Sequence, residues 1–183
     1  MGDTGTLATY APGPWHRRPD HGALFAVYDA AAASEVLREL AGSGEPFVSL
    51  FQERGEPVLD EVAPHLVRLD PWRPWPQKVL DVAWGSAWAI FLHGPEDLQR
   101  VRKQLRRLLT VELPDARQVM FRFYDPQVLS AYLPTCTPAE LGPFFGPIEA
   151  FYAFRAEGEV VDVFRRDAHG QLAVESRRGP AGA

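Results

Sequence analysis

Cysteine is almost missing from this chain. Cys136 is the single one among 183 residues, which excludes a disulfide within the chain and a zinc centre built on several thiolates. One cysteine suits a reducing compartment. An excess of positive charge is also missing: 19 Lys and Arg against 24 Asp and Glu leave a net charge of −5. That argues against a nucleic-acid partner at the level of the whole chain. No apolar run approaches the roughly 20 residues needed to span a membrane, and the N-terminus lacks a charged-then-apolar signal. Met1-Gly2 followed by Thr6 matches a myristoylation pattern only formally, with Asp3 inside it. The expectation is a cytoplasmic protein with neither a membrane nor a nucleic-acid partner.

The usual catalytic constellations are missing too. His65 and His93 each stand alone, without the spacing of a metal-binding pair. There is no Gly-x-Ser-x-Gly elbow and no phosphate-binding loop. Gly142-Pro143-Phe144-Phe145-Gly146 is too bulky to cradle a phosphate. Cys136 has no histidine near it in sequence. Asp29, Asp70, Asp81 and Asp125 could gather into a carboxylate site, but each also has a plain cap or turn role. The expectation is a protein that is not an enzyme, with no catalytic residue, no metal and no cofactor.

What is present is ordinary globular material, 46% hydrophobic and 23% charged. At this length it forms one domain or two small lobes sharing a core. Residues 1–22 and 176–183 read as flexible ends. Between them, apolar runs alternate with amphipathic ones. Strands are expected at 23–29, 46–51, 65–70, 87–92 and 118–124. Residues 30–41, stopped by Gly42, read as a helix, and so does the stretch opened by Gly94-Pro95, where proline takes the first position. In that second helix Leu98, Val101, Leu105 and Leu108 form one apolar stripe. Residues 149–156 and 159–165 flank Gly158 as an antiparallel hairpin, with a further strand at 171–175. The fold class is therefore α/β, a mixed sheet with flanking helices, ending in a hairpin. Glycine and proline punctuation at 134–147 marks the place for a lobe boundary within a domain spanning 23–175.

Phe121-Arg122-Phe123-Tyr124-Asp125-Pro126 is the most distinctive segment. Alternation puts Phe121 and Phe123 on one side of a strand and Arg122 and Tyr124 on the other. Asp125 can cap the helix that Pro126 starts. Arg122 and Asp125 read either as a salt bridge plus a cap or as a grip on a partner. Thr137-Pro138-Ala139-Glu140 has the form of a capping box. Phe144-Phe145-Gly146-Pro147 sets two aromatics on a tight turn, as core or as contact surface.

The run Met120–Leu129, followed by Leu133-Pro134 and Phe144–Pro147, resembles a bacterial family of adaptor chaperones of the type VI secretion system. Trp84-Gly85, the strand 87–92, the helix with Leu105–Leu109, and Leu24–Asp29 ahead of an alanine-rich helix fit the same family. The resemblance covers about residues 23–155. It implies a cytoplasmic protein that binds a toxic effector and loads it onto the spike or spike-tip protein. Two departures stand out. Gln127 follows Asp-Pro where the family usually has arginine, and the sequence ends soon after the hairpin where members often continue. A rival reading is a scaffold or immunity-like binder that neutralises one toxin without delivering it; a small enzyme is a more distant one.

Partner contacts are expected on three features. Trp72 and Trp75 lie in a proline-rich loop, where tryptophan suits a binding hot spot. Arg102 and Arg106 belong to a basic cluster with Arg100, Lys103 and Arg107, which reads either as a solvated face or as a groove for an acidic segment. Phe144 and Phe145 are the third. The final hairpin edge could also accept a strand.

Overall fold

In the computed structural model, residues 22–51, 61–70, 88–113, 115–155 and 160–178 are described below. The chain runs β1 (Ala23–Asp29), α1 (Ser34–Ser43), β2 (Phe47–Ser49), β3 (Pro64–Leu69), β4 (Ala89–Gly94), α2 (Leu98–Leu108), β5 (Thr110–Glu112), β6 (Gln118–Met120), α3 (Pro126–Tyr132), a 3-10 turn (Leu133–Thr135), α4 (Pro138–Phe145), β7 (Ala150–Arg155), β8 (Val160–Arg166) and β9 (Leu172–Arg178). Among the described residues, seven strands form one sheet in the order β2-β3-β1-β4-β7-β8-β9, and β5 and β6 make a separate two-stranded ribbon. The α/β class and the closing hairpin are as the sequence implies. Every pair in the main sheet is antiparallel.

Both faces of the central strands are buried, so β1 and β4 read as near-continuous apolar runs rather than alternating, with Asp29 and His93 as their polar exceptions. One face carries Phe25, Val27, Ile90, Leu92 and Phe151. It is covered by Val101 and Leu105 of α2, Leu129 of α3, and Leu141, Phe144 and Phe145 of α4. The other face carries Leu24, Ala26, Tyr28, Phe91 and Tyr152, with Leu37 and Leu40 of α1 packed on it. Residues 134–147 hold the end of the 3-10 turn, α4 and a tight turn, and their side chains join the same core as β1, β4 and β7.

Most boundaries lie within one or two residues of the sequence reading, and helix α1 starts at Ser34 rather than 30; four further differences have a clear physical cause. The strand expected at 118–124 is only Gln118–Met120, and it leaves the main sheet to pair with β5. From Phe121 onward the chain turns, with the Asp125 amide donating to the Arg122 carbonyl at 3.0 Å. Helix α1 passes through Gly42 and stops at Gly44, whose φ of 71° supplies the left-handed residue that ends a helix. Helix α2 starts after Asp97 instead of at Pro95, because the Asp97 carboxylate accepts from the amides of Gln99 (2.9 Å) and Arg100 (3.1 Å). Strand β9 runs on to Arg178, opposite Val160, three residues past the expected end at 175. Cross-strand pairing fixes Ser176–Arg178, which their polarity alone assigned to a flexible tail.

Candidate functional site

The distinctive segment meets the end of β1. Asp29 closes β1 by donating its amide to the Trp88 carbonyl at 2.9 Å. Its own carbonyl accepts from Ala32 and Ala33, each at 3.1 Å, and its carboxylate accepts the Ala31 amide at 3.1 Å. The other carboxylate oxygen receives Arg122 Nη2. The pairing is asymmetric: the Asp29 side chain is 8% exposed and that of Arg122 54%. The guanidinium also lies 5.8 Å from the centre of the Tyr124 ring, a cation–π contact at a half-open site. Burial, with the Asp29 charge adding to it, raises the Tyr124 phenol above its ordinary value.

Asp125 does something different. Its Oδ1 accepts from the amides of Gln127 (2.8 Å) and Val128 (3.4 Å), with Pro126 at the head of α3. The capping expectation holds. The salt-bridge partner of Arg122, though, is Asp29, 93 positions away in sequence. No local pattern could have named that pair. Arg122, Tyr124, Asp125 and Pro126 thus form a junction locking the β1–α1 turn to the β6–α3 turn. Strand alternation does not extend through it: Phe123 and Tyr124 are both buried in the same core cluster.

The basic helix divides in two. Arg102 is buried and donates from Nε to the Ser49 carbonyl at 3.1 Å. Arg106 donates from Nη1 to the Leu50 carbonyl at 3.1 Å. Both therefore reach into the end of β2. Burial, together with the nearby Arg106 charge, lowers the pKa of Arg102. Arg100, Lys103 and Arg107, spaced three and four apart, are the exposed ones and share one face of α2. Phe144 and Phe145 are 5% and 1% exposed and pack against Phe151, tilted and edge-on, with ring centroids 5.4 and 5.2 Å away. They are core side chains in this fold. Gln104 holds their turn by donating to the carbonyls of Pro143 (2.6 Å) and Phe144 (2.8 Å). The capping box at Thr137 and Glu140 is formed, with the Glu140 carboxylate accepting the Thr137 amide at 2.7 Å. Trp72 and Trp75 lie outside the described residues.

A buried polar chain crosses the opposite face of the sheet, and sequence reasoning missed it. Arg165 Nη2 is 3.4 Å from Tyr152 Oη, which is 2.8 Å from His93 Nδ1. Arg165 donates to the phenol oxygen, and the phenol and Nδ1 share the next hydrogen bond. Burial first, and the Arg165 charge second, push the His93 pKa down to about 4. The available signal was polar residues inside otherwise apolar strands, at His93 and Tyr152.

Among the described residues, no group of three or more His, Cys, Asp and Glu could hold a metal ion. Cys136 gives its thiol to the Tyr132 carbonyl at 3.6 Å, and burial raises its pKa, the reverse of what activates a cysteine. No helix among the described residues is long and apolar enough to cross a membrane.

These features define an α/β domain with a seven-stranded antiparallel sheet, helices on both of its faces and a charged junction at the end of β1. The model of the family DUF4123, a domain of unknown function, matches residues 24–142, about two-thirds of the chain. The chain belongs to this family. The match begins in β1 and ends in α4, so it takes in both halves of the Asp29–Arg122 junction. No curated protein and no solved structure matches the chain significantly.

Proposed function

We propose that this chain is a cytoplasmic adaptor of a type VI secretion system, binding an effector protein and loading it onto the spike or its tip. The observation that carries the reading is membership of DUF4123 over residues 24–142, joined to the resemblance of the Arg122–Pro126 segment to adaptor chaperones. The protein acts by binding and not by catalysis. Arg100, Lys103 and Arg107 on the open face of α2 suit an acidic segment of the partner, and their charges set its on-rate and choice. Burial of apolar surface supplies the affinity, at roughly 25 cal/mol per Å² before ordering costs. Release occurs by handover to the spike.

The test is deletion of the gene in a strain that fires its secretion system, with effector export and self-intoxication followed separately. Loss of export with no self-toxicity is the expected result. Intact export accompanied by self-toxicity would instead make the chain an immunity-like binder. Co-purification with products of adjacent genes identifies the partner directly.

A further inference from the structure

The sheet ends in an edge of unusual character. Strand β9 pairs with β8 along its whole length, from Arg178 opposite Val160 to Leu172 opposite Arg166. No strand lies beyond it among the described residues. It has neither proline nor bulge, and every residue from Ala173 to Arg178 is exposed, Val174 at 49%. Natural edges of this kind are blunted by charge. Of its three charges, Glu175 and Arg177 sit two residues apart with opposite signs, and Arg178 follows at the end of the strand. Glu175 and Arg177 point to the same side of the strand and close on one another, with Nε–Oε1 and Nη2–Oε2 contacts both at 2.8 Å.

We propose that β9 is a self-association edge, pairing antiparallel with β9 of a second copy about a two-fold axis through Ser176. The argument is one of register. The backbone groups that point away from β8 belong to every second residue. Two copies of β9 therefore pair odd residues with odd and even with even. An axis at Glu175 stacks that carboxylate on its own copy, and an axis at Arg177 stacks two guanidinium groups. An axis at Val174 sets Glu175 against Ala173 and pairs no charge. An axis at Ser176 sets Glu175 opposite Arg177 of the other copy, twice by symmetry, and lays Val174 against the aliphatic stem of Arg178. Charge complementarity selects this last register, since opposite charges directly across an antiparallel pair are favourable and like charges are not. The product is an isologous dimer with one sheet running through both copies. It does not depend on the secretion reading.

Sedimentation velocity of the full chain over a concentration series tests it. The wild type is expected to dimerise reversibly. Glu175→Arg and Arg177→Glu, both at exposed positions, are each expected to be monomeric with unchanged circular dichroism. Mixed in equal amounts they are expected to dimerise again, because every facing pair is then opposite in charge. The double exchange within one chain should also restore the dimer. Ser176→Cys adds a covalent readout. Residues directly across an antiparallel pair have Cβ atoms about 4.5–5.5 Å apart, so slight closing of the pair lets a disulfide form. The symmetric Ser176→Cys dimer should therefore form on mild oxidation, with the wild type, which keeps Cys136, as control. A wild type that stays monomeric at every concentration would overturn the proposal. So would a mixture of the two charge variants that fails to pair, or capture of a different protein's strand by a monomeric chain.

Discussion

Replacing Arg122 by glutamine should destabilise the protein by about 1–2 kcal/mol, with a magnitude set by the asymmetry of its ion pair. A fully exposed pair contributes roughly 0.2–1 kcal/mol, and stripping the partner from a fully buried charge costs about 3–5. Asp29 is at the buried end of this range and Arg122 at the open end, 8% against 54% exposed. Solvent can follow the shortened side chain to the carboxylate, which keeps the Ala31 amide at 3.1 Å, so the lower half of the interval applies. The cation–π contact with Tyr124 at 5.8 Å adds about 0.5 kcal/mol. For a chain of this length 1 kcal/mol corresponds to roughly 2–4 °C in Tm, so the variant should melt about 2–8 °C lower. Urea unfolding reads it best, as a lower midpoint at unchanged slope. Arg122→Glu should cost more, because a second carboxylate is brought against Asp29. A double-mutant cycle with Asp29→Asn isolates the pair and should return a coupling of about 1 kcal/mol. Strictly additive effects of the two changes would refute the reasoning. Normal unfolding of Arg122→Gln with lost partner binding would move the residue from structure to contact.

Three further outcomes are expected. The His93 pKa is depressed from 6.5 to about 4 in the fold, so the unfolded chain takes up more protons between those values. Stability is then fully present above about pH 6.5 and falls as pH drops toward 4, by at most about 3.4 kcal/mol at about 1.36 kcal/mol per pH unit. Urea midpoints across that window should show the slope, and His93→Gln should flatten it; an unchanged slope in the variant sinks the assignment. Gly146→Ala should cost about 2–4 kcal/mol, since φ is 53° and an added Cβ falls on the Gln104 carboxamide that holds the Pro143 and Phe144 carbonyls; a thermal melt within a degree of wild type would count against it. Reversing Arg100, Lys103 and Arg107 together should leave the melt near wild type and slow partner association at low salt, whereas reversing the buried Arg102 should lower the melt; equal stability losses from both would erase the distinction between the two faces of α2.

Local chemistry was legible wherever a residue satisfies groups near it in sequence. The Asp125 cap with Pro126, the Thr137–Glu140 box and the apolar stripe of α2 are all of this kind. So were the strand cores, because a strand buried on both faces is largely apolar, as Leu24–Val27 of β1 and Ala89–Leu92 of β4 are. The class of fold followed from their alternation with helices. Tertiary structure alone decided the rest, because the deciding partners are far apart in the chain. It gave Arg122 to Asp29 instead of Asp125. It sent Arg102 and Arg106 to the carbonyls at the end of β2, and left Arg100, Lys103 and Arg107 in solvent, although all five read alike as charges on a helix. It buried Phe144 and Phe145 against Phe151, and fixed the polar residues Ser176, Arg177 and Arg178 by pairing them with β8. A sequence records which groups need a partner. Which partner each one gets depends on distances that exist only once the sheet has formed.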